Sequence, residues 1–275
     1  MRLTVVGCSG SMPGPGSAAS SYLVQSDGTA PSPGDAAANR TWNVLLDLGS
    51  GAFGPLQTLL QPHDVDAVLL SHLHPDHCAD LTALAVWLRY GPGSVLGTGG
   101  AVPPERRVRV IGPAGTAERL AELSMEMPGD VAATFDVETV ADGDELAVGP
   151  LRVAAHEVRH PVTAFAYRLT GPDGEVLTYT GDTDSCDGVE RAAAGADLLL
   201  SEAAFTDGVD EVRGIHLTGS RAGALARDAG VRRLLLTHLQ PWADPERIRD
   251  DAAAVYDGPV ALARAGQVDQ VLAHS

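Results

Sequence analysis

The sequence contains no lysine. Its 19 basic residues are all arginine and stand against 36 aspartates and glutamates, for a net charge of −17. Proteins that hold long RNA or DNA normally present a basic face that releases counterions from the phosphate backbone. The arginine clusters 106–109 and 232–233 flank predicted strands and are interpreted as solvated strand ends. The composition therefore disfavours a long nucleic acid as partner or substrate.

Cysteine is also scarce, and long apolar runs are absent. The three cysteines, Cys8, Cys78 and Cys186, are an odd number, which argues against a disulfide framework and for a reducing compartment. No apolar run approaches the roughly 20 residues that a membrane-spanning helix needs. The stretch Leu3–Gly7 is too short for the apolar part of a signal peptide and is predicted to be a strand. These absences predict a cytoplasmic protein with no membrane partner.

The chain does have enough apolar material for one sizeable core. Its 275 residues are 44% hydrophobic, and a single α/β domain of this length is ordinary. No boundary divides it, so one domain over residues 1–275 is predicted. Segments rich in glycine, proline and alanine at Asp27–Arg40 and Gly91–Glu105 are predicted surface loops. The second follows a predicted helix, Ala79–Tyr90, and is either a lid over a functional site or a long crossover.

The most distinctive segment is Ser71–His77, with the sequence SHLHPDH, directly after an apolar run. Three imidazoles and one carboxylate within one turn are ligand types for transition-metal ions. His72 and His74 are two residues apart and point the same way in an extended chain, so they can bind one ion. Asp76 and His77 then face a second position. The segment therefore predicts the start of two metal sites.

Pro75, inside this segment, is expected to hold the turn open for ligation and to keep it out of helix, with helix resuming at Ala79. The competing interpretation is that these histidines are polar loop residues with satisfied hydrogen bonds. Three histidines and one aspartate within six residues after a strand favour the metal site.

Further residues of the same ligand types follow other predicted strands, as a site for two metal ions requires. They are His160 after Leu151–Val158, Asp182 after Val176–Gly181, and His238 after Arg232–Leu236. Open α/β sheets place functional groups at the ends of their strands. We therefore expect these side chains to meet the first segment in the folded chain.

Together these residues resemble the metal-binding signature of the metallo-β-lactamase superfamily, and the resemblance covers essentially the whole chain. It implies an α/β fold, a four-layer αββα sandwich of two mixed β-sheets flanked by helices. It also implies two divalent metal ions, Zn²⁺ first, with Mn²⁺ or Fe as alternatives. In that pattern one ion is held by His72, His74 and His160 and the other by Asp76, His77 and His238, with Asp182 bridging them.

Two assignments compete with other interpretations. Asp47 follows the predicted strand Trp42–Leu46 and matches the aspartate that orients the histidine loop in that family. A turn or helix N-cap aspartate is the alternative. His156 is close enough to compete with His160, but only His160 stands directly before Pro161, as in the family's third motif.

Two more segments, Asp197–Phe205 and Gly214–Thr218, resemble the active-site loops of the RNase Z-like phosphodiesterase branch of that superfamily. The resemblance implies that Glu202 orients His216, which binds a phosphoryl oxygen or protonates the leaving group. The implied reaction is in-line attack on phosphorus by a metal-bridging hydroxide, whose proton Asp76 accepts. The predicted catalytic residues are therefore Asp76, His216 and Glu202.

His216 also has a simpler interpretation, as a polar residue ahead of a predicted helix, Gly219–Asp228, that Thr218 or Ser220 caps. Both interpretations can hold at once. The N-terminus of that helix is expected to present free amides and its positive dipole end to an anion beside His216.

The length of the segment between His160 and Asp182 limits the class of substrate. Members of the branch that process tRNA carry a long basic arm there, whereas this sequence predicts only a hairpin, Ala164–Leu169 and Glu175–Thr180. Residues 4–11, 20–24, 69–74 and 235–238 resemble the actinobacterial cyclic-nucleotide phosphodiesterases of the branch. That resemblance implies hydrolysis of 3′,5′-cyclic AMP to the 5′-nucleotide, with cyclic GMP as a second candidate substrate.

Other functions stay open, because Ser201 stands where a histidine is usual and Leu217 where a serine is usual. An arylsulfatase-like enzyme or an RNase Z-like tRNA 3′ endonuclease is the main alternative, although the missing arm and the acidic charge disfavour tRNA. A non-catalytic metal or nucleotide binder is a third. The loop Gly7–Gly16 either approaches the substrate or is a turn between strands. Members of the branch commonly form homodimers, so a homodimer acting on a small phosphodiester is predicted.

Overall fold

The computed structural model describes residues 1–29, 40–92 and 102–274, and two β-sheets form its centre. The strands of the first sheet are β1 Arg2–Ser9, β2 Ala18–Ala19, β3 Ser21–Gly28, β4 Arg40–Leu46, β5 Ala67–Leu69, β6 Val108–Gly112, β7 Phe135–Thr139 and β15 Val268–Gln270. Their order is β15-β1-β3-β4-β5-β6-β7, with β2 beside β1. Strands β15, β1, β3 and β4 pair antiparallel, and β4 to β7 pair parallel.

The second sheet has the same mixture of pairings. Its strands are β8 Glu145–Val148, β9 Leu151–Val158, β10 Ala164–Thr170, β11 Val176–Tyr179, β12 Leu198–Glu202, β13 Leu234–Thr237 and β14 Val260–Leu262. They lie in the order β14-β13-β12-β11-β10-β9-β8. Strands β8 to β11 pair antiparallel and β11 to β14 parallel.

Alternation of side chains along each strand builds the layers. In β4, Val44 and Leu46 pack between the two sheets, while Leu45 packs against helices outside the first sheet. In β12, Leu198 faces the central core and Leu199 faces the helices outside the second sheet. The predicted four-layer αββα sandwich with two mixed sheets is therefore confirmed.

The helices divide between the two outer layers. Those outside the first sheet are α1 Phe53–Leu56, α2 Pro75–Cys78, α3 Leu81–Tyr90, α4 Thr116–Ser124 and α5 Pro128–Ala132. Those outside the second sheet are α6 Asp187–Ala193, α7 Gly219–Asp228 and α8 Pro245–Ala253. Short 3-10 helices cover Pro62–Asp64 and Pro104–Arg106. Within residues 1–29, 40–92 and 102–274, no helix has the length and apolar character that a membrane span requires.

Two sequence predictions fall mostly outside the described residues. These are the loops Asp27–Arg40 and Gly91–Glu105, of which only the ends are described, as parts of β3, β4 and a 3-10 helix. Whether the second loop covers a functional site stays a prediction.

The topology gathers polar residues at one edge of each sheet. Asp47 follows β4 and His72 follows β5, which run parallel. Asp182 follows β11, Glu202 ends β12 and His238 follows β13, and these strands are also parallel. Because parallel strands leave a sheet at the same edge, side chains far apart in sequence meet there.

Candidate metal centre

The histidine segment between β5 and α3 does not stay extended. Pro75 opens the single-turn helix α2, and His74, with ψ of 149°, is its N-cap. The prediction that Pro75 keeps this segment out of helix is wrong, because proline at the first helical position lacks only an N–H that would have had no helical partner. The turn of helix places Asp76 and His77 on the buried side.

The donor atoms of the seven predicted ligands fall into two groups. In the first, His74 Nδ1 lies 2.9 Å from His72 Nε2 and 3.3 Å from His160 Nε2. The second contains Asp76, His77, Asp182 and His238, all buried. Within each group one donor atom from every residue lies within 4.8 Å of the others. Each group therefore has the donor types and the spacing that one divalent ion requires.

Asp182 stands between the two groups. Its carboxylate lies 3.3 Å from His77 Nε2 and 3.2 Å from His238 Nε2, which belong to the second group. It also lies 3.8 Å from His72 Nε2 of the first group. A carboxylate in this position can contact ions in both groups.

Two buried atoms indicate that the site suits a cation. His77 Nε2 and Asp182 Oδ1 have no hydrogen-bond partner, although only 3.3 Å separates them. Burial acts against a charge on His77, but Asp182 and Asp47 on either side raise its pKa well above the usual range. A divalent ion between Nε2 and the carboxylates would replace that proton and satisfy both atoms. The residues present therefore fit divalent metal binding.

Asp47 holds the other side of the His77 ring. Its buried carboxylate accepts hydrogen bonds from His77 Nδ1, Tyr179 Oη and both the backbone N–H and the hydroxyl of Ser71, all at 2.7 Å. Asp47 itself has a φ of 57°, a conformation that aspartate tolerates better than most residues. Next to it, a Cβ on Gly49 would lie 1.9 Å from the carbonyl oxygen of Asp76, so only glycine allows this close approach. Asp47 thus caps no helix, and its carboxylate links Ser71 and His77 of the histidine segment to Tyr179.

Glu202 and His216 form a buried pair beside both groups. Glu202 accepts hydrogen bonds from the backbone of Thr183 and Ala204 and lies 2.9 Å from His216 Nδ1. Burial would lower the pKa of His216, but the Glu202 carboxylate outweighs it and raises that pKa to about 9. The His216 ring centre lies 5.5 Å from those of two ligand-type histidines, one in each group. His216 can therefore present a proton on Nε2 to a substrate at the centre.

The helix after His216 begins as predicted, but two amides of its first turn already have acceptors. Helix α7 starts at Gly219, and Thr218 is its N-cap, with its hydroxyl accepting from Arg221 N. The carboxylate of Asp207 accepts from Ser220 N at 2.9 Å. The prediction of free amides for an anion is therefore wrong for Ser220 and Arg221, because Asp207 and the Thr218 hydroxyl already accept from them.

Asp184, which the sequence analysis did not identify, fixes the segment that carries His216. Its buried carboxylate accepts from Arg213 Nε at 2.6 Å, Gly214 N at 2.7 Å and Arg221 Nη1 at 2.7 Å. Burial favours the neutral acid, but these bonds hold the pKa of Asp184 well below its usual range. No local sequence signal marks this role, because the three donors lie 29 to 37 residues away.

We expect Asp184→Ala to lower kcat by up to about 100-fold, because Gly214 would lose its acceptor and His216 would shift relative to the substrate. Metal content should not change, since the partners that the Asp184 carboxylate accepts from, Arg213, Gly214, Arg221 and the Ser185 backbone, belong to neither donor group. The measurement is kcat together with metal analysis, and Asp173→Ala in the exposed β10–β11 turn is the control. An unchanged kcat would show that the segment does not need this support.

The N-terminal loop lies against His238. A Cβ on Gly10 would be 2.2 Å from the carbonyl oxygen of His238, so the two backbones are in close contact. The backbone N–H of Ser11 donates to His238 Nε2 at 3.3 Å. The predicted Gly7–Gly16 loop is therefore partly strand, as β1 continues to Ser9, and its next residues border the centre.

Comparison with known proteins agrees with this geometry. The model of a β-lactamase superfamily domain matches residues 42–239. An uncharacterized protein of Mycobacterium leprae (strain TN) is 39% identical over 276 residues, which cover 99% of this chain and 89% of the relative. A ribonuclease Z of Methanopyrus kandleri is 31% identical over 264 residues, covering 83% of this chain and 87% of that enzyme.

One relative agrees in both sequence and structure. The probable metallo-hydrolase YhfI of Bacillus subtilis (strain 168) is 32% identical over 269 residues, covering 98% of this chain and 99% of YhfI. Its crystal structure matches with a TM-score of 0.79 and 30% identity, over 97% of this chain and 98% of the other. The chain therefore belongs to the metallo-β-lactamase superfamily, within its RNase Z-like branch, and is a metal-dependent hydrolase.

Proposed function

We propose that this protein is a phosphodiesterase that uses two divalent metal ions to hydrolyse 3′,5′-cyclic nucleotides, cyclic AMP first, to 5′-nucleotides. The observation that carries the proposal is the Glu202–His216 pair, with Glu202 Oε1 2.9 Å from His216 Nδ1 at the edge of the two donor groups. Such a pair suits a reaction in which an oxyanion leaves and needs a proton.

His72, His74 and His160 would hold one ion, Asp76, His77 and His238 the other, with Asp182 between them. When bound, the two ions would lower the pKa of the attacking water and neutralise charge that develops on the phosphoryl group. We propose Zn²⁺, which imidazole and carboxylate ligands suit, with Mn²⁺ or Fe as alternatives.

The protein's own groups move the protons. Burial opposes ionisation of Asp76, but the hydrogen bond and charge of protonated His77 lower the pKa of Asp76 to about 2. When an ion is bound in place of that proton, its positive charge would act in the same direction. The ionised carboxylate of Asp76, with a side chain 12% exposed, can accept the proton of the attacking water. His216 Nε2–H then donates to the departing oxygen, while Glu202 holds the ring in place and balances its charge.

The segment between His160 and Asp182 supports the proposal of a small substrate. It consists mainly of β10, β11 and a tight turn at residues 171–174, and it is too short to include an arm that grips RNA. The net charge of −17 also acts against binding of a polyanion. One observation favours a second candidate, a tRNA 3′ endonuclease: relatives named ribonuclease Z are 31% and 30% identical.

The test is hydrolysis of 3′,5′-cyclic AMP by the Zn²⁺- or Mn²⁺-loaded protein, with the product identified, beside Asp76→Ala. Formation of 5′-AMP that is lost in the variant would support the proposal. Cleavage of bis-p-nitrophenyl phosphate without turnover of cyclic AMP would keep the phosphodiesterase chemistry and reject the cyclic nucleotide. Parallel assays on a precursor tRNA and a sulfate ester identify the alternatives.

A further inference from the structure

Ser20, between β2 and β3, is fully buried against His238. Its Oγ lies 2.9 Å from His238 Nδ1. The backbone N–H of Gly49 donates to the Ser20 carbonyl at 2.9 Å, which ties Ser20 to the turn that carries Asp47. Ser20 therefore has a fixed position on the side of the His238 ring that faces away from the donor group.

The hydrogen bonds of His238 determine its tautomer. A backbone N–H can only donate, so the bond from Ser11 N makes His238 Nε2 an acceptor. The single ring proton is therefore on Nδ1, and Nδ1–H donates to Ser20 Oγ.

The other ring nitrogen faces two carboxylates. His238 Nε2 lies 3.2 Å from Asp182 Oδ2 and 3.9 Å from Asp76 Oδ2. We infer that Ser20 is a positioning residue: its hydroxyl oxygen accepts Nδ1–H, fixes the rotation of the His238 ring and presents the Nε2 lone pair to a divalent cation. The cation would take the place of the 3.3 Å hydrogen bond from Ser11 N. This inference rests on the proposed metal centre.

The choice of a hydroxyl has a physical reason. His77 Nδ1 is held by the carboxylate of Asp47 at 2.7 Å and His160 Nδ1 by the carbonyl of Ile215 at 3.0 Å. A neutral acceptor at His238 fixes the ring without adding a charge beside carboxylates that already face it. Without that acceptor, the buried Nδ1–H loses its partner, and a ring protonated on Nε2 can instead donate to Asp182. That tautomer cannot bind a metal through Nε2.

The test uses the full chain with Ser20→Ala, Ser20→Thr and a control, Ser26→Ala, a buried serine in the following strand β3. Zn²⁺ affinity and stoichiometry are measured by competition with a chromogenic chelator. The ring tautomer of His238 is measured separately, by ¹⁵N NMR of the metal-free protein. We expect Ser20→Ala to weaken one of two Zn²⁺ sites by about 10- to 100-fold and to abolish the pure Nδ1–H pattern. Ser20→Thr should restore both, and Ser26→Ala should match the unmodified protein.

The outcomes separate this inference from the proposed function. If the unmodified protein binds two Zn²⁺ ions and Ser20→Ala binds them with equal affinity and the same tautomer, the role of Ser20 is rejected and the function is untouched. If the unmodified protein binds no Zn²⁺, Mn²⁺ or Fe²⁺, both are rejected. Should Ser20→Ala not fold, Ser20→Cys, which keeps a similar size but is a weaker acceptor, takes its place in the same measurements.

Discussion

Replacement of His216 by alanine is expected to leave both metal ions bound and to lower kcat by about 10²- to 10⁴-fold, the usual contribution of a positioned acid or base. The reason is geometric. Glu202 holds Nδ1 at 2.9 Å, so only Nε2 is left to face a substrate. Phe205 packs edge-on against the same ring at 4.9 Å, which restricts its rotation. The ring centre of His216 also lies 5.5 Å from a ligand-type histidine in each donor group.

The measurement is kcat and KM on the hydrolysed phosphodiester, together with metal content. His156→Ala is the matched control, because His156 is a partly buried histidine on β9 that belongs to neither donor group. Glu202→Gln, which keeps the shape but removes the charge, should reduce kcat in the same direction by a smaller factor. A normal kcat in His216→Ala would remove His216 from the mechanism. Loss of an ion would instead make it a ligand, a role that its distance from His160 and Asp182 permits.

Asp182→Asn is expected to have the largest effect on metal binding. The substitution keeps the volume of a buried side chain and removes the negative charge that faces His72, His77 and His238. Removing a group that only supports a ligand typically lowers metal affinity by about 10- to 100-fold, and a carboxylate shared between two ions should exceed that. Turnover should fall with the bound metal.

Metal titration and kcat at saturating metal distinguish the two possible origins of the loss. If high metal concentration restores turnover, the charge of Asp182 serves mainly affinity. If turnover stays low with both ions bound, the carboxylate also places the ions for the reaction. Asp173→Asn in the exposed β10–β11 turn is the control and should change neither quantity. Two tightly bound ions in Asp182→Asn would contradict the bridging role.

Local patterns predicted much of the fold. Strand β9 has the bounds predicted for an apolar, strand-like stretch, Leu151–Val158, and helix α7 has the bounds predicted for a helix capped by Thr218 or Ser220, Gly219–Asp228. Both elements depend on contacts within a few residues, which a sequence displays directly. Pro75 was misjudged because proline excludes helix only beyond the first turn, and whether a turn of helix begins there depends on what it packs against.

The amides at the start of α7 show that prediction from local sequence is limited in the same way. A helix N-terminus is recognisable in sequence, but the side chain that accepts from its amides need not be close in sequence. Asp207, which accepts from Ser220 N, lies 13 residues earlier in the chain. A loop of that length can adopt many conformations, so the sequence alone does not show which of its side chains accepts from the helix amide.

The sequence by itself determined the types of donor residue, their places at strand ends and the family. Its acidic composition also disfavoured a long nucleic acid as substrate. Those features are set by residue identity and by periodicities of two and of 3.6 residues. Only the tertiary structure decided which atoms meet: Tyr179 with Asp47 across 132 residues, and Ser20 with His238 across 218. A hydrogen bond forms only within a few tenths of an ångström and a narrow angle. That precision arises when two sheets pack face to face, and no segment of the chain contains it alone.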